Sequence, residues 1–119
     1  MNRLATAFAC LFLAVLPSLA DEPPPDIEEL RSVSEKAKPL RDTWERCTAL
    51  AVRSGLRTRA APEALAGAAL ARCKPDEARL AAFLNRQIGR RVAKGTMAQL
   101  RELQRSNLIL VIETLREAK

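Results

Sequence analysis

The chain contains no histidine and no tyrosine, and only four of its 119 residues are aromatic. The lack of histidine excludes hydrolases that use a histidine base, and it removes the commonest ligand of zinc. The scarcity of aromatic rings means that any core must be aliphatic. The remaining residues form no recognisable catalytic, phosphate-binding or metal-binding motif. The sequence therefore predicts one small domain that is not an enzyme and holds no cofactor or metal.

The first twenty residues have the pattern of a secretory signal peptide. Arg3 precedes an apolar run from Leu4 to Leu16, and Pro17 ends that run shortly before the small residues Ser18 and Ala20. As a helix this run would span about 20 Å, short of the ~30 Å hydrocarbon core of a bilayer. We therefore expect cleavage after Ala20 and a periplasmic or secreted product with no further transmembrane segment.

Cleavage would remove Cys10 and leave Cys47 and Cys73 in an oxidising compartment. An even pair of cysteines there most simply forms one disulfide. In the chain-entropy model, closing a loop of this length stabilises the fold by about 3.5 kcal/mol. The alternatives are a redox pair or a metal site, but Cys-x-x-Cys spacing and additional ligands are both missing. The sequence favours a structural Cys47–Cys73 disulfide.

Residues 21–25 form an acidic, proline-rich spacer, and residues 26–119 predict a single all-α domain. Apolar residues recur every three or four positions from Ile27 to Ala51, after a helix N-cap at Asp26. This spacing is typical of helices that pack side by side, as in a bundle or coiled coil. Pro39 interrupts the pattern and predicts either a kink or the start of a new helix. Residues 53–61 are expected to form a loop.

Three further helices are predicted. Pro62 and Pro75 mark the starts of the second and third, because proline suits the first helical turn. Lys94–Gly95 predicts the end of the third, and Thr96 with Gln99 predicts a capping box at the start of the fourth. The expected fold is a small helical bundle of three to four helices, with its first hairpin joined by the disulfide.

The last two helices have predicted apolar faces. The third presents Ala81, Leu84, Ile88 and Val92, flanked by Phe83. The fourth presents Leu100, Leu103 or Gln104, Leu108, Val111 and Leu115. Residues Leu108–Ile112 are apolar on every side, which indicates burial on more than one side or a surface for homo-oligomer formation.

Charge divides the chain into an acidic beginning and a basic body. Residues 21–35 hold six acids and one arginine, whereas residues 36–119 hold 18 bases and eight acids. The bases Arg79, Arg86, Arg90 and Lys94 follow helical spacing on the predicted third helix. A possible anion-binding face comprises Arg86, Arg90, Arg91, Lys94, Arg101 and Arg105. The alternative is an ordinary solvated face. Nucleic acid is not an expected partner, because aromatic residues that could stack on bases are scarce.

A short pattern connects this chain to a group of proteins. Trp44-x-x-Cys47, followed by an alanine-rich stretch and Cys73-x-x-x-Glu77, resembles small exported helical proteins of Gram-negative bacteria that have not been characterised. The likeness covers about residues 43–93. It implies a periplasmic helical protein and supplies no catalytic residues.

Two functional hypotheses follow from the sequence. The first is a non-enzymatic periplasmic interaction protein, associated with the envelope, which offers a helical face to an unknown protein partner. The second is a binder of anionic envelope lipid or polysaccharide that uses the basic face.

Overall fold

The computed structural model describes residues 26–118, so the predicted signal peptide and the spacer of residues 21–25 lie outside the described residues. These residues form four helices: α1 (Ile27–Gly55), α2 (Pro62–Arg72), α3 (Lys74–Ile88) and α4 (Arg90–Glu117). The predicted all-α class is confirmed. Within residues 26–118, no helix combines the length and the apolar character needed to cross a bilayer.

Helix α1 is one continuous helix of 29 residues. Its N-cap is Asp26, as predicted, whose Oδ1 accepts a hydrogen bond from the Glu28 N–H at 3.1 Å. Pro39 lies inside the helix and does not start a new one. Its ring removes one backbone donor, yet the flanking turns stay helical because the apolar face on both sides of it packs on the same neighbours. The helix continues to Gly55, so the loop is shorter than predicted and covers residues 56–61.

Helices α2 and α3 form one arm that is broken at a single residue. Cys73 is both the C-cap of α2 and the N-cap of α3, with φ −99° and ψ 20°. Pro75 in the first turn of α3 has no N–H to give to the preceding turn, so it accounts for the break.

The boundary between α3 and α4 was predicted wrongly. Helix α3 ends at Ile88, Gly89 makes the turn with φ 84° and ψ 156°, and α4 then runs without interruption through Gly95 and Thr96. The pairing of Thr96 with Gln99 is therefore not a capping box. Gly89 adopts a backbone region that is essentially restricted to glycine, which makes it the stronger signal for a helix end.

The helices form a three-armed bundle in which α1 and α4 run parallel to each other and the α2–α3 arm runs antiparallel to both. One hydrophobic cluster joins the first half of α1 to α3 and the first half of α4; its buried members include Val33, Trp44, Leu84 and Met97. A second cluster joins the end of α1 to α2 and the second half of α4, through residues such as Val52, Leu65, Leu108 and Ile112. Both clusters are almost entirely aliphatic, as the composition requires.

The buried face of α4 differs from the predicted one. Ala93, Met97, Leu108 and Ile112 are buried, whereas Leu103 is 60% exposed and Val111 and Leu115 are each 47% exposed. Gln104, the predicted alternative to Leu103, does face inward and is half-buried. The periodicity located the helix correctly. Which of its sides is covered depends on how α1 and the α2–α3 arm pack against it.

The end of α4 fixes the loop between α1 and α2. The Arg116 guanidinium donates hydrogen bonds to the backbone carbonyls of Ala60 at 2.8 Å and Thr58 at 3.0 Å. These charge-assisted contacts satisfy loop carbonyls and tie the loop to the bundle.

Candidate functional site

The structure pairs Cys47 with Cys73, which confirms the predicted disulfide. The bond joins the middle of α1 to the break between α2 and α3, with the two Cα atoms 6.0 Å apart. Cys73 is fully buried and belongs to the same hydrophobic cluster as Trp44. The disulfide therefore links α1 to the α2–α3 arm at Cys73, the residue that interrupts the helix of the arm.

A long groove runs between α1 and α4, on the side of the bundle that the α2–α3 arm leaves open. We call it the α1–α4 groove. One end has a volume of about 280 Å³, with walls that include Leu30 of α1 and Val92 of α4 and a floor formed by Leu80, Leu84 and Ile88. The other end has a volume of about 380 Å³ and is lined by Val52, Leu56, Leu108, Val111 and Leu115 among others.

Four of the eight exposed large apolar side chains among residues 26–118 line this groove. Leu30, Val92, Val111 and Leu115 lie in the groove and are 42%, 57%, 47% and 47% exposed. Leu103 and Leu110 lie about one turn on either side of Asn107, which also lines the groove, and they extend the apolar surface at its rim. Exposed apolar patches rimmed by polar residues are typical of interaction sites.

The two ends of the groove are separated by polar contacts. The Gln104 side-chain amide donates to the Thr48 hydroxyl at 2.9 Å, and this contact links α1 directly to α4. Next to it, Arg41 and Glu45 pair along α1 at 3.8 Å. Sequence reasoning missed Thr48, a fully buried hydroxyl; the only signal was Gln104, which already stood as an alternative member of the apolar face.

The predicted homo-oligomer surface is divided by this arrangement. Leu108 and Ile112 are core residues, and only Leu110 and Val111 of that segment are exposed. The most exposed side chains that residues 108–112 could offer to a second copy are therefore those of Leu110 and Val111.

The structure separates the six predicted anion-binding residues. Arg90, Lys94 and Arg101 line a second groove of about 380 Å³ between α3 and α4, together with Asn85. Arg105 lies one turn beyond Arg101 on the same face of α4. Arg86 belongs to α3 and lies half a turn around that helix from Glu77, while Arg91 lies about 100° around α4 from Arg90. Of the six predicted residues, Arg90, Lys94 and Arg101 therefore line one groove, and Arg86 and Arg91 do not line it.

The Arg101 guanidinium is already paired. Its Nε contacts the carboxylate of Glu77 on α3, whose side chain is only 14% exposed. Glu77 is the acid of the Cys73-x-x-x-Glu77 pattern, and its visible role here is to join α3 to α4. Among residues 26–118, no three histidine, cysteine or acidic side chains are grouped closely enough to hold a metal ion.

Comparison with protein-family models, with curated proteins and with solved structures gives no match.

Proposed function

We propose that this protein is a non-enzymatic interaction protein of the periplasm, and that its α1–α4 groove binds an amphipathic helix of a partner protein. The observation that carries the proposal is the apolar groove itself, in which Leu30, Val92, Val111 and Leu115 are exposed. The predicted signal peptide and the disulfide support the compartment.

The shape of the groove supports a helix as its occupant. Between Leu30 and Leu56, α1 is long enough to accompany about 39 Å of a bound helix, or some seven turns. An occupant with apolar residues at i, i+3, i+4 and i+7 would bury them in the two apolar ends. Near its middle it would need a small or polar residue, because the Thr48–Gln104 contact lies there.

Site-specific photo-crosslinking in intact cells tests this proposal. A photoreactive residue at Val92 or at Val111 samples the two ends of the groove, and Ala82, exposed on α3 outside the groove, is the matched control position. We expect the same adduct from both groove positions and none from Ala82. Mass spectrometry of the crosslinked peptide should show an amphipathic helical segment.

A charge placed in the groove provides the complementary variant. Leu115→Asp should abolish the adduct formed at Val92 without unfolding the protein, because Leu115 is 47% exposed. Leu50→Asp places the same charge at an exposed leucine outside the groove and should leave the adduct intact. Adducts that form equally at all three crosslinking positions would contradict the proposal. A crosslinked dimer of this chain would identify the partner as a second copy instead.

A second candidate function is the binding of anionic envelope lipid or polysaccharide along α4. The observation that favours it is the α3–α4 groove, where Arg90, Lys94 and Arg101 lie together. Binding to vesicles containing anionic lipid should weaken steeply with added salt, since the charges are screened over about 8–10 Å. Arg90→Glu/Lys94→Glu should abolish it, and Arg86→Glu/Arg91→Glu should reduce it much less. If both double variants lost vesicle binding equally, the binding would depend on net charge alone and not on the α3–α4 groove.

A further inference from the structure

The disulfide opens onto a separate groove, formed between α1 and the break in the α2–α3 arm. This disulfide groove has a volume of about 420 Å³ and is lined by Arg46, Cys47 and Leu50 of α1 and by Arg72 and Asp76 of the arm, among others. Cys47 is half-buried and lines the groove, whereas Cys73 is fully buried in the core. Of the two cysteines, only Cys47 lines the groove, so a reagent that enters the groove reaches Cys47 and not Cys73.

The groove attracts anions. Arg46 and Arg72 lie in its two walls and are both exposed. Among residues 26–118, Asp76 is the only acid that lines it, and its Oδ1 is held by the Arg79 guanidinium at 3.2 Å. The charge presented to an incoming molecule is therefore positive, because the one carboxylate is already paired.

Attack at Cys47 makes Cys73 the leaving sulfur, because the disulfide joins these two residues.

We propose that Cys47 is a thiol-exchange site selective for small anionic thiols, of which glutathione is the probe. The electron pair of the incoming thiolate forms a new S–S bond to Cys47 Sγ as the Cys47–Cys73 bond breaks. Cys73 Sγ leaves as a thiolate and takes a proton from water. A second thiolate then attacks the outer sulfur of the mixed disulfide, which releases Cys47 and oxidised glutathione.

The charge preference is tested with two thiols of opposite charge. The rate of reduction by glutathione and by cysteamine is measured for the native protein, for Arg46→Glu/Arg72→Glu, and for Arg86→Glu/Arg91→Glu, which makes the same change in net charge elsewhere. We expect the ratio of the glutathione rate to the cysteamine rate to fall about tenfold in the first double variant. The ratio should change little in the second, and 1 M salt should remove the difference. An equal fall in both variants would overturn the selectivity.

The position of attack is tested by peptide mapping. The reaction is stopped with acid at low conversion, free thiols are alkylated in denaturant, and the digest is analysed by mass spectrometry. Glutathione should be found on Cys47 and the alkyl group on Cys73. Glutathione on Cys73, or equally on both, would overturn the proposal. Thermal unfolding of each unreduced variant shows whether its fold is intact.

Discussion

Trp44 shows how a single residue supports the core of a bundle that is otherwise aliphatic. It is the largest fully buried side chain, at 1% exposure, and its indole N–H has no hydrogen-bond partner among residues 26–118. Its value to the fold is therefore the volume that it fills beside Cys73, Leu80 and Met97.

Substitutions at Trp44 should separate volume from hydrogen bonding. Trp44→Ala should lower the free energy of unfolding by about 3–5 kcal/mol, because it leaves a large cavity. Trp44→Phe keeps most of the volume and gives up no hydrogen bond, so it should cost only about 1–1.5 kcal/mol. Urea unfolding followed by far-UV circular dichroism measures both. A phenylalanine variant as unstable as the alanine variant would show that filled volume does not account for the contribution of Trp44.

The contact between Thr48 and Gln104 is a second feature at the scale of residues. Thr48→Val removes the acceptor and leaves a half-buried amide unpaired, which should cost about 1–2 kcal/mol. Thr48→Val/Gln104→Leu removes both polar partners and should recover most of that loss. A double-mutant cycle from urea unfolding gives the coupling energy. A coupling near zero would mean that the two side chains do not interact in solution.

At the scale of elements, the helix boundaries show what local sequence signals can decide. The N-cap at Asp26 and the prolines at the starts of α2 and α3 were confirmed, since each acts within one turn of its own helix. Gly95–Thr96 gave an equally strong local signal and was wrong. Packing decided that boundary, because Ala93 and Met97 on either side of it are buried in the same cluster.

The two glycines near this boundary should respond oppositely to the same substitution. Gly95 lies inside α4 with open space around it, so Gly95→Ala should raise the free energy of unfolding by about 0.5–1 kcal/mol. Gly89 has φ 84°, so Gly89→Ala should lower it by about 1–3 kcal/mol although no atom obstructs the new methyl group. Thermal melts of the two variants measure both. If Gly95→Ala lowered the free energy of unfolding, α4 would not continue through Gly95, and the helix boundary predicted there from the sequence would be correct.

At the scale of the whole molecule, the disulfide connects α1 to an arm that is interrupted at Cys73. Cys47→Ala/Cys73→Ala should lower the free energy of unfolding by about 3.5 kcal/mol. For a domain of this size, that loss corresponds to a fall in Tm of roughly 15–25 °C. Differential scanning calorimetry under oxidising conditions measures the change. An unchanged Tm would show that the bridge does not stabilise the bundle.

The sequence by itself determined the all-α class, the approximate position of each helix and the disulfide. These features depend on residue type and on spacing along one chain, which are visible without a partner. The helical spacing of α4, for example, located the helix even though it could not say which of its sides is covered.

Only the tertiary structure decided which surfaces stay open. Leu103 and Leu108 look alike in the sequence, yet the first is exposed and the second is buried, because the α2–α3 arm covers one side of α4 and leaves the side next to α1 uncovered. The same packing placed Arg90, Lys94 and Arg101 together at one groove, which Arg86 and Arg91 do not line. Burial and clustering are properties of how helices contact one another, and the spacing within one helix does not contain that information.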